Sequence, residues 1–134
     1  MKRIMLQKLA IIFLLITTHF VNANDELGYQ GRTAPNTEST SETLDRLKND
    51  PNVEIRQNEG WTIASSRAAS TLWSFTPENH PAHPSFVKRE VVKENGSIFI
   101  RTTAKCGAEK LVCDQLIRDF IELNNRVRKD VSSE

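Results

Sequence analysis

The chain has 134 residues, 26% of them charged and 38% hydrophobic, with a formal net charge of +1 at pH 7. At this length we expect a single domain with a modest hydrophobic core. The charge is nearly balanced, which excludes the concentrated positive field that binding to nucleic acid requires.

The first 23 residues have the organisation of a secretory signal peptide. Three basic residues in the first eight positions precede an unbroken apolar run at 9–16, and Val21-Asn22-Ala23 then provides the small-x-small pattern that signal peptidase accepts. The apolar run is much shorter than the ~20 residues that a helix needs to cross the bilayer core. We therefore expect cleavage after Ala23 and an exported product, periplasmic or secreted, with no membrane span in the mature form. An uncleaved N-terminal anchor is the alternative.

Removal of 1–23 makes the chain faintly acidic. Three of the 18 Lys and Arg residues are lost and none of the 17 Asp and Glu residues, which leaves 15 basic against 17 acidic side chains. Residues 24–40 have Leu27 and Tyr29 as their only large apolar residues, too few to offset the entropy of ordering the segment. We predict a flexible leader over 24–40 and a single domain over 41–131.

A short helix is predicted at the start of this domain. Ser39 and Glu42 have the spacing of a capping box, and Leu44 and Leu47 follow at helical spacing. Pro51 ends the helix after about two turns. Its narrow apolar side predicts that it packs on a larger element.

Apolar and polar residues alternate from Val53 onward, which is the pattern of β-strands. The residues at 58–60, Asn-Glu-Gly, suit a three-residue hairpin loop with the glycine in the left-handed conformation. That loop would place Ile55 opposite Ile63. A third strand is predicted over 71–76, with Trp73 and Phe75 on one face.

A second hairpin is predicted from 86–93 and 98–105, because the connection contains Asn95-Gly96, the strongest signal for a two-residue turn. The pairs predicted by this turn are Val91 with Ile100, Val87 with Ala104, and Glu90 with Arg101.

The C-terminal segment has the clearest helical periodicity of the chain. Its apolar residues are Val112, Leu116, Phe120, Leu123, Val127 and Val131, with Ile117 and Ile121 widening the apolar side. We expect Phe120 to be the most deeply buried of them and Arg118 to lie on the opposite side. The predicted fold is α+β, with a mostly antiparallel sheet of four to five strands, the short N-terminal helix, and this long helix packed on one face.

Cys106 and Cys113 are predicted to form a disulfide. Within one continuous helix their Cα atoms would lie about 10.5 Å apart, whereas a disulfide tolerates less than about 7 Å. The chain must therefore bend between them, most easily at Gly107. The spacing is not that of a CxxC redox motif, and two sulfurs are too few for a structural zinc site.

The loop at 77–85 contains three of the five prolines and both histidines that remain after cleavage. If its prolines favour a polyproline II helix, His80 and His83 project from the same side about 9 Å apart along the axis. The two imidazoles could then share a divalent transition metal, with Glu78 as a third ligand. The alternative is a stiff surface loop with solvated histidines and no cofactor.

The aromatic residues beside this loop could complete a recognition surface. Trp73 and Phe75, with His80 and His83, form this candidate contact surface, although such aromatics are more often part of the core. The sequence contains no GxSxG, HExxH, P-loop or GxGxxG motif, so we expect no catalytic function.

The segment 72–85 (LWSFTPENHPAHPS), the following Val87-Lys88-Arg89 and the helix bearing the cysteine pair resemble small exported proteins of Gram-negative bacteria that have no assigned activity. The resemblance covers about the last 75 residues. It implies a periplasmic or secreted setting and assigns no functional residue.

The sequence therefore predicts a non-catalytic binding or accessory protein of the cell envelope. Its partner would be a protein or an envelope component and not nucleic acid. The alternatives are a metal-binding protein that uses His80 and His83, and a small hydrolase that pairs either histidine with a serine such as Ser74 or Ser85.

Overall fold

The structure, a computed structural model, describes residues 29–31 and 37–131. Its elements are β1 (Tyr29–Gly31), α1 (Thr40–Lys48), β2 (Glu54–Asn58), β3 (Trp61–Ser66), β4 (Thr71–Phe75), β5 (Ser85–Glu94), β6 (Ser97–Cys106) and α2 (Lys110–Val131). The strands form one sheet in the order β1-β6-β5-β4-β3-β2. Strands β2 to β6 are antiparallel to their neighbours, and β1 runs parallel to β6 at the edge. The predicted α+β fold is confirmed.

The predicted signal peptide and cleavage site lie outside the described residues. Within the predicted leader, Tyr29–Gly31 form β1. Thr37 and Glu38 also contact the sheet, because the Lys105 ammonium donates hydrogen bonds to the Thr37 hydroxyl and to the Glu38 carbonyl.

Helix α1 begins with the predicted capping box. The Glu42 N–H donates to the Ser39 hydroxyl at 3.2 Å, and the Ser39 N–H donates to the Glu42 carboxylate at 2.7 Å. These two bonds provide acceptors for backbone N–H groups at the helix start, where no preceding turn supplies a carbonyl. Leu47 is buried against the sheet.

The predicted register of the first hairpin is wrong by one residue. Ile55 lies opposite Ala64, and Ile63 lies opposite Arg56. The loop has two residues because Glu59 and Gly60 both adopt positive φ, 48° and 82°, which is the backbone of a type I′ turn. A glutamate rarely takes this conformation, so the sequence favoured a longer loop in which only the glycine did.

The second hairpin has the predicted register. Asn95 and Gly96 form its turn, with φ of 49° and 80°. The observed pairs include Val91 with Ile100, Val87 with Ala104, and Glu90 with Arg101.

The two helices pack on opposite faces of the sheet, here named the α1 face and the α2 face. The α2 face carries the larger core, whose buried residues are Ala82, Val87, Ala104, Cys106, Cys113, Leu116, Ile117 and Phe120. The α1 face carries the smaller core, whose buried residues are Leu47, Ala64 and Phe75. The predicted placement of Trp73 and Phe75 on one face is confirmed, and it is the α1 face.

The prediction that Phe120 is the most deeply buried residue of α2 is wrong. Ile117 is 1% exposed and Phe120 is 9% exposed. A step of four residues exceeds one full turn of an α-helix by about 40°. A row of apolar residues built from such steps therefore rotates gradually away from the sheet. Ile121 and Val127 accordingly remain exposed, and the core is formed by the first half of α2.

The predicted disulfide between Cys106 and Cys113 is confirmed, with a Cα–Cα distance of 5.8 Å. The chain bends at Gly107, whose N–H donates to the Pro84 carbonyl at 3.0 Å. A Cβ at this position would lie 2.7 Å from the same carbonyl oxygen. Only glycine therefore permits this close approach of backbone to backbone.

Candidate functional site

A cleft of about 770 Å³ lies between the sheet and the side of α2. Helix α2 packs over Val87, Ala104 and Cys106 in β5 and β6. Side chains of β2 to β4, together with Arg89 of β5, form the floor of the cleft. Trp61 and Phe120 line it where the sheet meets the helix, with their ring centroids 5.7 Å apart. The cleft thus has an aromatic wall and a floor of strand side chains.

Strand register explains which side chains form this floor. Side chains directly opposite one another in neighbouring strands share a face of the sheet. One row runs from Ile63 through Ser74 to Val87, and the next row from Leu72 to Arg89. Of these residues, all but Val87 line the cleft.

Arg89 is the central charged residue of the site. Its guanidinium carbon lies 5.3 Å from the centroid of the Phe120 ring, and its Nη1 donates a long hydrogen bond of 3.4 Å to the Asn124 side chain. The Asn124 amide is held by its own 2.9 Å hydrogen bond to the Thr102 hydroxyl. The Nε of Arg89 is buried without a hydrogen-bond partner. Among the described residues, no carboxylate forms a salt bridge with this arginine.

This environment leaves Arg89 charged and incompletely satisfied. Burial lowers the pKa of its guanidinium, yet arginine remains protonated at neutral pH. Removing a cation from water without pairing it is unfavourable, and each polar group left unsatisfied adds to the penalty. An anion bound in the cleft would supply the counter-charge that this guanidinium lacks among the described residues.

The other charged residues of the cleft are differently placed. Arg126 is paired with Glu122 at 2.9 Å on the exposed surface of α2. Asp119 accepts a 2.7 Å hydrogen bond from the Gln115 side chain. Arg56 and Glu59 lie exposed at the rim. Arg89 is therefore the cation at the floor of the cleft.

The predicted polyproline II conformation of the 77–85 loop is wrong. The loop makes two consecutive turns, in which the His80 N–H donates to the Pro77 carbonyl and the His83 N–H donates to the His80 carbonyl. Two residues of the loop, Ala82 and Ser85, are fully buried. Local backbone hydrogen bonds thus outweigh the extended preference of the prolines.

The two histidines of the predicted metal site have separate surroundings. His80 packs edge-on against Trp61 at 5.2 Å, and its Nδ1 accepts a hydrogen bond from the Ala82 N–H. His83 Nδ1 lies 3.1 Å from the Thr76 carbonyl oxygen. Within the described part of the chain, no three His, Cys, Asp or Glu residues are grouped as metal ligands. Metal binding by His80, His83 and Glu78 remains a prediction.

The predicted contact surface is divided between the two faces. Trp73 and Phe75 pack on the α1 face, where Phe75 is buried, whereas His80 contacts Trp61 on the α2 face. The serines of the hydrolase alternative are both buried, and the Ser85 hydroxyl donates to the Ala82 carbonyl. A contact role for Trp73, Phe75, His80 and His83 remains a prediction.

No functional role is predicted for Arg89 from the sequence, although a signal exists. Val87, Arg89 and Val91 alternate along one strand and therefore share a face. A cation between two apolar residues on the inward face of a strand is unusual unless it has a partner. That pattern indicates a buried charge, and the fold shows that it lies in a cleft.

A comparison with protein-family models, with curated proteins and with solved structures finds no match to this chain. Neither of the two helices in the described residues combines the length and the hydropathy of a membrane-crossing segment. The function is therefore inferred from the chemistry of the cleft.

Proposed function

We propose that the protein is a non-catalytic binding protein that holds a small ligand with an anionic group and an apolar body in the cleft beside α2. The observation that carries this proposal is the Arg89 guanidinium, held at the floor of the cleft with an unsatisfied Nε and no carboxylate partner among the described residues. Part of the remaining lining is suited to the ligand's body, because it contains the five apolar side chains Trp61, Ile63, Leu72, Phe120 and Leu123, while the other seven lining residues are polar or charged.

Export is part of the same proposal. The N-terminal 23 residues have the features of a cleavable signal peptide, and the Cys106–Cys113 disulfide is typical of proteins in oxidising compartments. We propose that the mature protein acts in the periplasm or outside the cell, as a binding or accessory component of the envelope.

Two dyes that differ only in charge test the binding proposal. Anilinonaphthalene sulfonate carries an anionic group on an apolar ring system, and phenylnaphthylamine has the same rings without the sulfonate. We expect the folded protein to bind the sulfonate at least about tenfold more tightly, because a hydrogen bond to a charged group contributes about 1.5–3 kcal/mol. Fluorescence titration measures both affinities.

The Arg89→Gln variant should lose most of this preference and keep its affinity for the neutral dye. Arg118→Gln is the matched control, since Arg118 is exposed on α2 and does not line the cleft. Circular dichroism before titration establishes that both variants are folded. An unchanged preference in Arg89→Gln, or equal affinity of the wild type for the two dyes, would overturn the proposal.

A further inference from the structure

A second depression adjoins the cleft on the α2 face. It encloses about 450 Å³, and its lining includes Val91 and Ile100. Leu72 and Arg89 line both the cleft and this depression. The two hollows therefore meet at this half-buried cation.

Strand register makes the two hollows continuous. Val91 and Ile100 are directly opposite in β5 and β6, two residues beyond the row that contains Arg89. Since a strand rises about 3.3 Å per residue, the Ser74, Arg89 and Val91 rows follow one another at intervals of about 6.6 Å. The resulting groove is about 13 Å long between its outer rows, with the charge at its middle.

The far end of this groove is apolar and open to solvent. Val91 is 54% exposed and Ile100 is 38% exposed, although both lie on the face that α2 covers farther along the sheet. A ligand that covers these two side chains removes apolar surface from water on both partners, which is favourable in proportion to the area buried. The cation beside them restricts the class of ligand to one with a negative group near an aliphatic chain.

We propose that this groove binds a free single-chain anionic amphiphile, of the chemical class of a fatty carboxylate. The carboxylate pairs with Arg89, and the alkyl chain runs past Leu72 onto Val91 and Ile100. This inference rests on the proposed anion site and goes further by naming the chain that accompanies the anion. A single chain is assigned because one pair of apolar side chains, Val91 and Ile100, forms the open end of the groove. Among the described residues Arg89 is the cation that lines both hollows, whereas Arg67 lines only the second depression and is exposed.

Calorimetric titration with saturated carboxylates from acetate to decanoate, each below its micellar concentration, tests the inference. Affinity should rise about twofold to fourfold for each methylene up to the chain length that covers the Val91–Ile100 row, about 6.6 Å from the Arg89 row, and should level off beyond it. Arg89→Gln should weaken binding by a similar factor at every chain length. Alkyl trimethylammonium ions of the same lengths, which carry the opposite charge, should bind at least about tenfold more weakly.

The chain-binding end is tested separately with Val91→Thr/Ile100→Thr, which keeps β-branched residues in both strands. This variant should bind acetate, which is too short to reach Val91 or Ile100, like the wild type, but it should lose most of the increase with chain length. Phe99→Thr is the matched control, because Phe99 is also exposed on this hairpin but lies on the opposite face. It should leave the chain-length dependence unchanged.

Each remaining outcome overturns the inference in a distinguishable way. Arg89-dependent binding of anilinonaphthalene sulfonate without any chain-length dependence would leave the anion site standing and exclude the alkyl groove. Binding to phosphatidylglycerol vesicles with no heat from decanoate would indicate a membrane surface as the occupant. A concentration-dependent dimer in sedimentation that the Val91→Thr/Ile100→Thr variant abolishes would indicate a second copy of the chain.

Discussion

At the scale of single residues, depth of burial along α2 separates structural positions from those that face the cleft. Ile117 and Leu116 lie almost fully within the core. Phe120 is slightly more exposed because one side of its ring lines the cleft, below the Arg89 guanidinium. Periodicity alone predicts which side of a helix is apolar, but it does not distinguish a residue that fills the core from one that borders a cavity.

Ile117→Ala should lower the free energy of unfolding by about 2–5 kcal/mol, because it leaves a cavity in the larger core. The adjacent Arg118→Ala should lower it by less than about 0.5 kcal/mol, since Arg118 is exposed. Urea denaturation followed by circular dichroism measures both. Similar midpoints for the two variants would show that α2 is rotated from the observed orientation.

At the scale of elements, the two hairpins show which local signals determine register. Asn95-Gly96 specifies a two-residue turn because both residue types tolerate positive φ, and all three predicted pairs follow from it. Glu59-Gly60 forms the same kind of turn with a residue that does not favour it. In the observed register Ile55 lies opposite Ala64 and packs against the smaller core, so the packing of Ile55, more than the turn residues, favours that register.

Glu59→Asn should therefore stabilise the protein by about 0.5–1 kcal/mol, because asparagine adopts the left-handed conformation at lower cost. Glu59→Ala is the control and should give no gain, since it removes the same carboxylate without favouring positive φ. Thermal denaturation compares the two variants. If Glu59→Ala raises the thermal midpoint as much as Glu59→Asn or more, the stabilisation comes from removal of the charge and not from the backbone conformation.

The disulfide acts at the same scale, because it joins the end of β6 to the first turn of α2. Cys106→Ala/Cys113→Ala should lower the free energy of unfolding by about 2–4 kcal/mol. Wild-type protein treated with a reductant should unfold at nearly the same urea concentration as the double variant. If reduction leaves the wild-type midpoint unchanged, the bond contributes nothing to stability.

At the scale of the whole molecule, the cleft follows from the widths of its parts. Strands lie about 4.8 Å apart, and a helix with its side chains is about 10 Å across, so one helix covers roughly two strands. Helix α2 covers β5 and β6 and leaves the α2 face of β2 to β4 open. The sequence predicts that one helix packs on the sheet, but it does not predict over which strands. That is why Arg89 and the cleft became visible only in the fold.

The proposed export is tested on the full-length chain. Because the apolar run of the N-terminus is short and Val21-Asn22-Ala23 follows, the exported protein should begin at Asn24. Intact mass spectrometry of the secreted or periplasmic fraction measures this directly. A full-length mass found only in the membrane fraction would show that the segment is retained as an anchor.

The order of the strands also has a kinetic consequence. Strands β2 to β6 lie in the sheet in the order in which they occur in the chain, so each of β3 to β6 pairs with the strand that precedes it. Closing a short loop loses less entropy than closing a long one, and domains with mostly local contacts reach the native state sooner than those with distant pairings. Strand β1 is the exception, because Tyr29 must find Ala104 near the other end of the chain. We therefore expect the meander and α2 to assemble in one rapid step, with β1 joining an edge that is already formed.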